Sequence, residues 1–348
     1  MIRHTLPLVL VLLACAPQAI SAQDAPDLAA VIDGYAREHD FNGTILVQDG
    51  GRDLYHGSFG VAERAFDTPA DTTTRFRVAS ITKLFTSVLI LQLHQEGKLH
   101  VDSTISKYLP DYPGGGADRV TLHQLLNHTS GLAQYDGETS FQQAVDNGIE
   151  RYQKPHTVAA MLARCCSGPL ARDPGTAFEY NNADYIVLGV IIERVTGRPY
   201  AEVLAERILR PLRMDDTGVL RQDTILPRLA STYFFRPDNH TLITDLPVYM
   251  ENWYAAGAMY STTRDLATFA YALFGSDRLI GEKARSRLLT PALDEYGYGV
   301  WSYEFERNGT RHRVAKRPGS IMGANTVLYR LLDRGATIVI LGNTNLAD

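Results

Sequence analysis

From Ile81 to Leu93 almost every position is apolar; Lys83, Gln92 and a few small hydroxyls are the exceptions. A helix that is apolar on all faces belongs in a core, not on a surface. The run stops at Gly97, the residue type that ends helices in a left-handed cap. Ahead of it, Leu28, Ile32 and Tyr35 fall at helical spacing within 28–39. Thr44 to Val47 and Leu54 to His56 flank Asp49, Gly50 and Gly51, which predicts a β-hairpin. Near the other end, 299–303, 326–329 and 337–341 are apolar or alternating runs, expected to pair as antiparallel strands. Between about 99 and 262 the chain is richer in Pro, Gly and short helical patterns, including the loop Pro113 to Gly116. That stretch reads as a mostly helical insertion.

A lysine one turn into a core helix is costly unless it has a chemical task. Positions i and i+3 share a helix face, so Lys83 reaches the Ser80 hydroxyl. Desolvation lowers the pKa of a lysine, and a neutral amine accepts a serine proton. The helix N-terminus adds unpaired N–H groups and a positive dipole end, suited to a developing oxyanion. Ser80-x-x-Lys83 alone is equally an N-cap serine followed by a snorkelling lysine.

Other segments accompany it. Asp173-Pro174-Gly175 leads to Tyr180-Asn181-Asn182 and the apolar run Tyr185 to Val195. Phe41 to Val47, Gly57 to Ala62 and Arg75 to Ala79 come earlier. Glu96 to Leu99, Lys107 to Pro110, Leu125 to Leu132 and Ser261 to Leu266 come later. Together they resemble the serine β-lactamase and penicillin-binding-protein superfamily, in the branch of class C β-lactamases, serine esterases and D-amino-acid-specific peptidases. The resemblance runs from about Phe41 to Asn343. It implies an α+β fold, with an antiparallel sheet built from both chain ends (about 26–98 and 263–348) and flanked by helices. The helical lobe, about 99–262, would be inserted between them, with the active site in the cleft. Relatives continue past the last strand into a long helix. Here the sequence reaches Asp348 soon after that strand, so part of the sheet's outer face is expected to be less covered.

The resemblance also assigns roles. Ser80 would be the acylated nucleophile, with Lys83 and Tyr180 as proton-transfer groups. A tyrosine is inert near its ordinary pKa of about 10, but a neighbouring ammonium eases phenolate formation. Asn182 would orient Lys83 or the substrate's acyl amide. Where relatives carry Lys-Thr-Gly or His-x-Gly on a strand, this chain has Arg317-Pro318-Gly319-Ser320. Arg317 keeps a positive charge but is no proton shuttle. It can grip a carboxylate with two prongs, which suggests a substrate with a free carboxylate; otherwise it merely fills a position that assists proton transfer. Pro318 removes a hydroxyl and is tolerable only at a sheet edge. Gly319 would let a ligand approach the backbone, and the N–H groups of Ser80 and Ser320 would form an oxyanion hole. His128-Thr129-Ser130-Gly131 reads as a structural turn after a helix. Trp253, Tyr254 and Tyr249 are either cleft walls or core aromatics.

The expected activity is therefore a serine hydrolase working through an acyl-enzyme on a small ester or a D-amino-acid amide or peptide. A β-lactamase, or a penicillin-binding or scaffold relative without turnover, is the alternative. Loss of Lys and Thr at 317 and 318 argues against efficient β-lactam hydrolysis. No Gly-x-Ser-x-Gly elbow and no zinc-ligand motif occurs in the sequence. No metal or cofactor is expected, and the partner is a small-molecule substrate.

Charge and composition change the picture little. A net charge of −5 with scattered arginines gives no reason to expect nucleic acid. Met1 to His4 is a short positive start, Leu6 to Ala14 an apolar stretch too short to span a bilayer, and Ala19 to Ala22 a small-residue site. Residues 1–22 are thus expected to be a signal peptide of an exported protein, periplasmic or secreted, leaving 23–348 as the hydrolase domain. Leu12 to Cys15 also resembles a lipoprotein box, which would lipidate Cys15. Cys165 and Cys166 are adjacent, closer than an ordinary disulfide allows, and are expected to be thiols. The sequence leaves the oligomeric state open.

Overall fold

The computed structural model describes residues 27–136, 141–236 and 238–346. The leader and Cys15 lie outside them. The first helix, α1 (Leu28–Glu38), is started by the Asp27 side chain, which accepts from the Ala29 N–H. Strand β1 (Gly43–Asp49) turns through Gly50 and Gly51, both at positive φ, into β2 (Arg52–Phe59). Such a two-residue turn matches the strand twist and requires residues that adopt left-handed backbone. The C-terminal strands are β3 (Trp301–Arg307), β4 (Thr310–Ile321), β5 (Ala324–Leu331) and β6 (Ala336–Gly342). The six strands form one antiparallel sheet in the order β3-β4-β5-β6-β1-β2, so the two chain ends meet where Ile45 faces Ile340.

Both faces of the sheet are covered, which explains why Thr44 to Val47 is continuously apolar. The inner face (Leu46, Leu328, Val339, Leu341) joins the main core with helix α2 (Thr82–Gln95). Helix α4 (Thr263–Phe274) also packs on β6 and β1. On the outer face Ile32 of α1 clusters with Ile45, Val327, Tyr329, Ile338 and Ile340. These outer residues are buried at the centre of the sheet, while Tyr55, Tyr303 and Phe305 toward its edges are only partly covered.

Helix α2 is buried from Thr82 to Leu91 on every side, as its composition demands. Phe85 stacks on Phe269 of α4 with ring centroids 3.8 Å apart. On another face α2 meets α3 (Asn182–Thr196), which Asn181 caps by accepting from the Ala183 N–H and which Gly197 ends at φ 69°. The inserted stretch is less uniformly helical than its patterning suggests. Gly218–Val219 and Met259–Ser261 pair in a small sheet with Phe76–Arg77, and Tyr233–Arg236 forms a hairpin with Thr241–Thr244. Strands this short carry no readable period. The first of these sheets ties the insertion to the segment just before Ser80. No helix among the described residues is long and apolar enough to cross a membrane.

Candidate active site

Ser80 sits in a 3₁₀ turn, Ala79–Ile81, that runs directly into α2. Ala79 is held at φ 47°, a conformation that costs a non-glycine residue energy and that surrounding packing must enforce. Lys83 lies one turn on and is fully buried. Its ammonium donates to Ser80 Oγ at 3.1 Å, Asn182 Oδ1 at 2.6 Å and the Ala256 carbonyl at 2.8 Å. Three N–H donors thus meet three acceptors. Tyr180, just before α3, donates its hydroxyl proton to Ser80 Oγ at 2.7 Å. Ser80 Oγ therefore has both candidate bases within hydrogen-bond reach.

Burial lowers Lys83 to about 8, with Tyr180 holding it up and the Arg317 charge pulling it further down. Burial pushes Tyr180 up, but the Arg317 and Lys83 charges outweigh that and bring the phenol down to about 8. The two groups share one field and titrate as a pair.

Arg317 is almost completely buried. Its Nε donates to the Ser80 carbonyl, Nη1 to the Tyr296 hydroxyl and Nη2 to the Tyr180 hydroxyl, each at 2.7 Å. Where a carboxylate grip at the cleft mouth is the expectation, each guanidinium nitrogen already donates one hydrogen to an internal acceptor. The strand alternation puts Lys316 on the opposite face, opposite Trp301 of β3. Pro318 has a simple structural reason. The β3–β4 ladder ends at Trp301–Lys316, so from Arg317 onward β4 is bordered only by β5, and a missing N–H on the other side is tolerated. Gly319 is closely packed. A Cβ there would meet the Val78 carbonyl at 2.4 Å and the Ser80 nitrogen at 3.0 Å. The close approach it permits is that of β4 to the Ser80 turn. Thr326 pins the contact, donating to the carbonyls of Val78 and Gly319. Ser320 is exposed beside this contact and pairs with Asn325.

The Beta-lactamase family profile matches residues 28–348. The chain belongs to the β-lactamase family. It is 29% identical over 337 residues to penicillin-binding protein 4* of Bacillus subtilis, covering 91% of this chain and 71% of that protein. It is 29% identical over 266 residues to esterase EstB of Burkholderia gladioli, covering 74% and 67%. The structure of D-amino acid amidase from Ochrobactrum anthropi superimposes with a TM-score of 0.76 at 25% identity, covering 91% of this chain and 92% of that one. The β-lactamase-family chain is accordingly a serine hydrolase.

Several residues that surround the serine hydrolase site were not singled out as site residues in the sequence. Tyr296, which receives Arg317, lies in a loop without a pattern. Asp136 accepts from the Asn182 amide at 2.9 Å and from the Tyr152 hydroxyl. Asp184 is fully buried in the first turn of α3 against His128. Only the His128 to Gly131 motif gave a signal, and it is indeed a turn, with φ 58° at His128 and 72° at Gly131. Trp253 proves to be a core aromatic, stacked on Tyr152 at 3.8 Å. Cys166 is a buried thiol, and the Cys165 side chain lies outside the described residues. No cluster of possible metal ligands occurs among the described residues.

Arg317 gives a first expected result. Arg317→Gln removes the largest attraction on the Tyr180 phenolate, so the phenol's pKa rises and the alkaline activation of turnover moves to higher pH. Discrimination between a free-acid substrate and its neutral analogue stays unchanged. Both are read from pH–rate profiles on a matched substrate pair; a loss of preference for the acid would restore the carboxylate grip.

Proposed function

We propose that this protein is an exported serine hydrolase that forms an acyl-enzyme on Ser80. The observation that carries the reading is the convergence of Lys83 and Tyr180 on Ser80 Oγ, with both groups titrating near 8. When the pair has lost one proton, it accepts the Ser80 proton as Oγ attacks the substrate carbonyl. The same proton then passes to the leaving group. The N–H groups of Ser80 and Ser320 receive the oxyanion, and water attacks the acyl-enzyme by the reverse route. Asn182 holds the Lys83 ammonium in register. Export rests on the leader pattern of residues 1–22 and on the company of penicillin-binding relatives. A fluorophosphonate label followed by peptide mass spectrometry tests the reading: the adduct is expected on Ser80, and an unlabelled or differently labelled protein rejects it.

The substrate is a small ester or a D-amino-acid amide or peptide. Relatives include a teichoic acid D-alanine hydrolase of Staphylococcus aureus, 25% identical over 285 residues.

The pH dependence follows from the sign of the two shifts. Both groups are protonated below about 8 and one proton is lost above it, so kcat/KM is expected to rise with pH and level off beyond about 8. In Tyr180→Phe the phenolate that holds the lysine pKa up is gone. The rising limb then moves to lower pH while the plateau falls, by about 10²–10⁴ if Tyr180 transfers a proton in the slow step. A limb that stays in place in Tyr180→Phe rules out coupling between the two groups.

A further inference from the structure

The mechanism above makes no use of one fully buried titratable pair, His128 and Asp184. Both side chains are fully enclosed. His128 Nδ1 lies 2.7 Å from Asp184 Oδ2, and the Ser130 hydroxyl donates to Asp184 Oδ1 at 2.5 Å. Asp184 belongs to the first turn of α3, the turn that also presents Asn182. His128 meanwhile holds the chain on both sides of Tyr180. Its carbonyl accepts from the Glu179 N–H at 2.9 Å, and the Asn181 N–H points at its Nδ1 at 3.4 Å. The imidazole also packs against the Tyr180 ring, centroids 4.5 Å apart, and against Tyr185 and Tyr296. His128 has left-handed backbone, and its carbonyl and ring both face the 179–181 segment.

We propose that His128 and Asp184 are positioning residues for Tyr180, clamping the peptide units that flank it so that its hydroxyl stays between Ser80 and Arg317. The proposal rests on Tyr180 being a proton-transfer group. Backbone packing alone would need no polar side chain here, and an enclosed imidazole whose Nε2 has no partner among the described residues is expensive as filler. Burial keeps His128 uncharged, with the Lys83 and Arg317 charges adding to the effect, and burial likewise favours the protonated carboxyl of Asp184. The clamp therefore holds Tyr180 by hydrogen bonds without adding a third cation to the two that tune the phenol. A hydroxyl displaced by about 1 Å loses on the order of 10²-fold in rate, and that is the quantity the clamp protects.

The test is a double-mutant cycle with kcat expressed per site titrated by fluorophosphonate, which removes any misfolded fraction. His128→Ala is expected to lower kcat by about 10–100-fold with little change in KM. In a Tyr180→Phe background the same change should cost less than about twofold, because no phenol remains to be positioned. His128→Asn should recover most of the loss, since Asn tolerates the left-handed backbone and puts an amide near the Nδ1 position. Should His128→Ala fail to fold, Asp184→Asn carries the same cycle. Equal losses in both backgrounds, or an unchanged kcat per titrated site, overturn the proposal. Full turnover in Tyr180→Phe alone removes the underlying reading of Tyr180 before the cycle is drawn.

Discussion

Ser80→Ala is expected to reduce turnover of an activated ester by about 10⁵–10⁶-fold, the scale lost when an acyl-enzyme nucleophile is deleted. The protein should fold. Ser80 Oγ accepts from Lys83 and Tyr180, but both keep other partners: Lys83 retains Asn182 and the Ala256 carbonyl, and Tyr180 retains Arg317. Alanine also suits the 3₁₀ turn that opens α2. Circular dichroism and melting temperature should match wild type while labelling disappears. Comparable turnover in the purified variant would end the assignment of the serine.

Lys83→Met ranks second, with an expected loss of about 10²–10⁴ in kcat/KM and a residual rise moved to higher pH, since Tyr180 loses the Lys83 charge that lowers it. Methionine keeps most of the buried stem. Two stability effects oppose each other. Removing an enclosed ammonium relieves a desolvation cost of several kcal/mol. Asn182 Oδ1 and the Ala256 carbonyl lose a donor, at about 1–3 kcal/mol each. The two are of similar size, so the melting temperature should move by only a few degrees while activity collapses. Turnover within a few-fold of wild type would mean that Ser80 has another base. Since the Arg317 charge acts on Tyr180 directly, the residual activity of Lys83→Met is expected to depend on Tyr180, and Lys83→Met with Tyr180→Phe should fall further.

Some of this was local and therefore legible. The relation of Ser80 to Lys83 is a helix spacing, fixed by the geometry of one turn. The burial of α2 follows from its having no polar face. The Gly50-Gly51 turn and the Gly97 stop need only the backbone freedom of glycine. Resemblance added Tyr180 and Asn182, whose local setting, a Pro-Gly lead-in before an apolar helix, survives in the chain.

What the sequence could not supply is the set of partners brought in from far along the chain. Arg317 and Tyr180 are 137 positions apart, and His128 and Asp184 are 56 apart. In sequence Arg317 is a strand cation that either grips a substrate carboxylate or fills a position that assists proton transfer. Its inward position exists only in the fold, where the Ser80 carbonyl, Tyr296 and Tyr180 accept from its three nitrogens. Likewise nothing local pairs Asp184 with His128; the 128–131 turn must first fold over it. Local propensity decides which segments become helix or strand; a hydrogen bond between distant side chains exists only once packing has excluded water and fixed both ends.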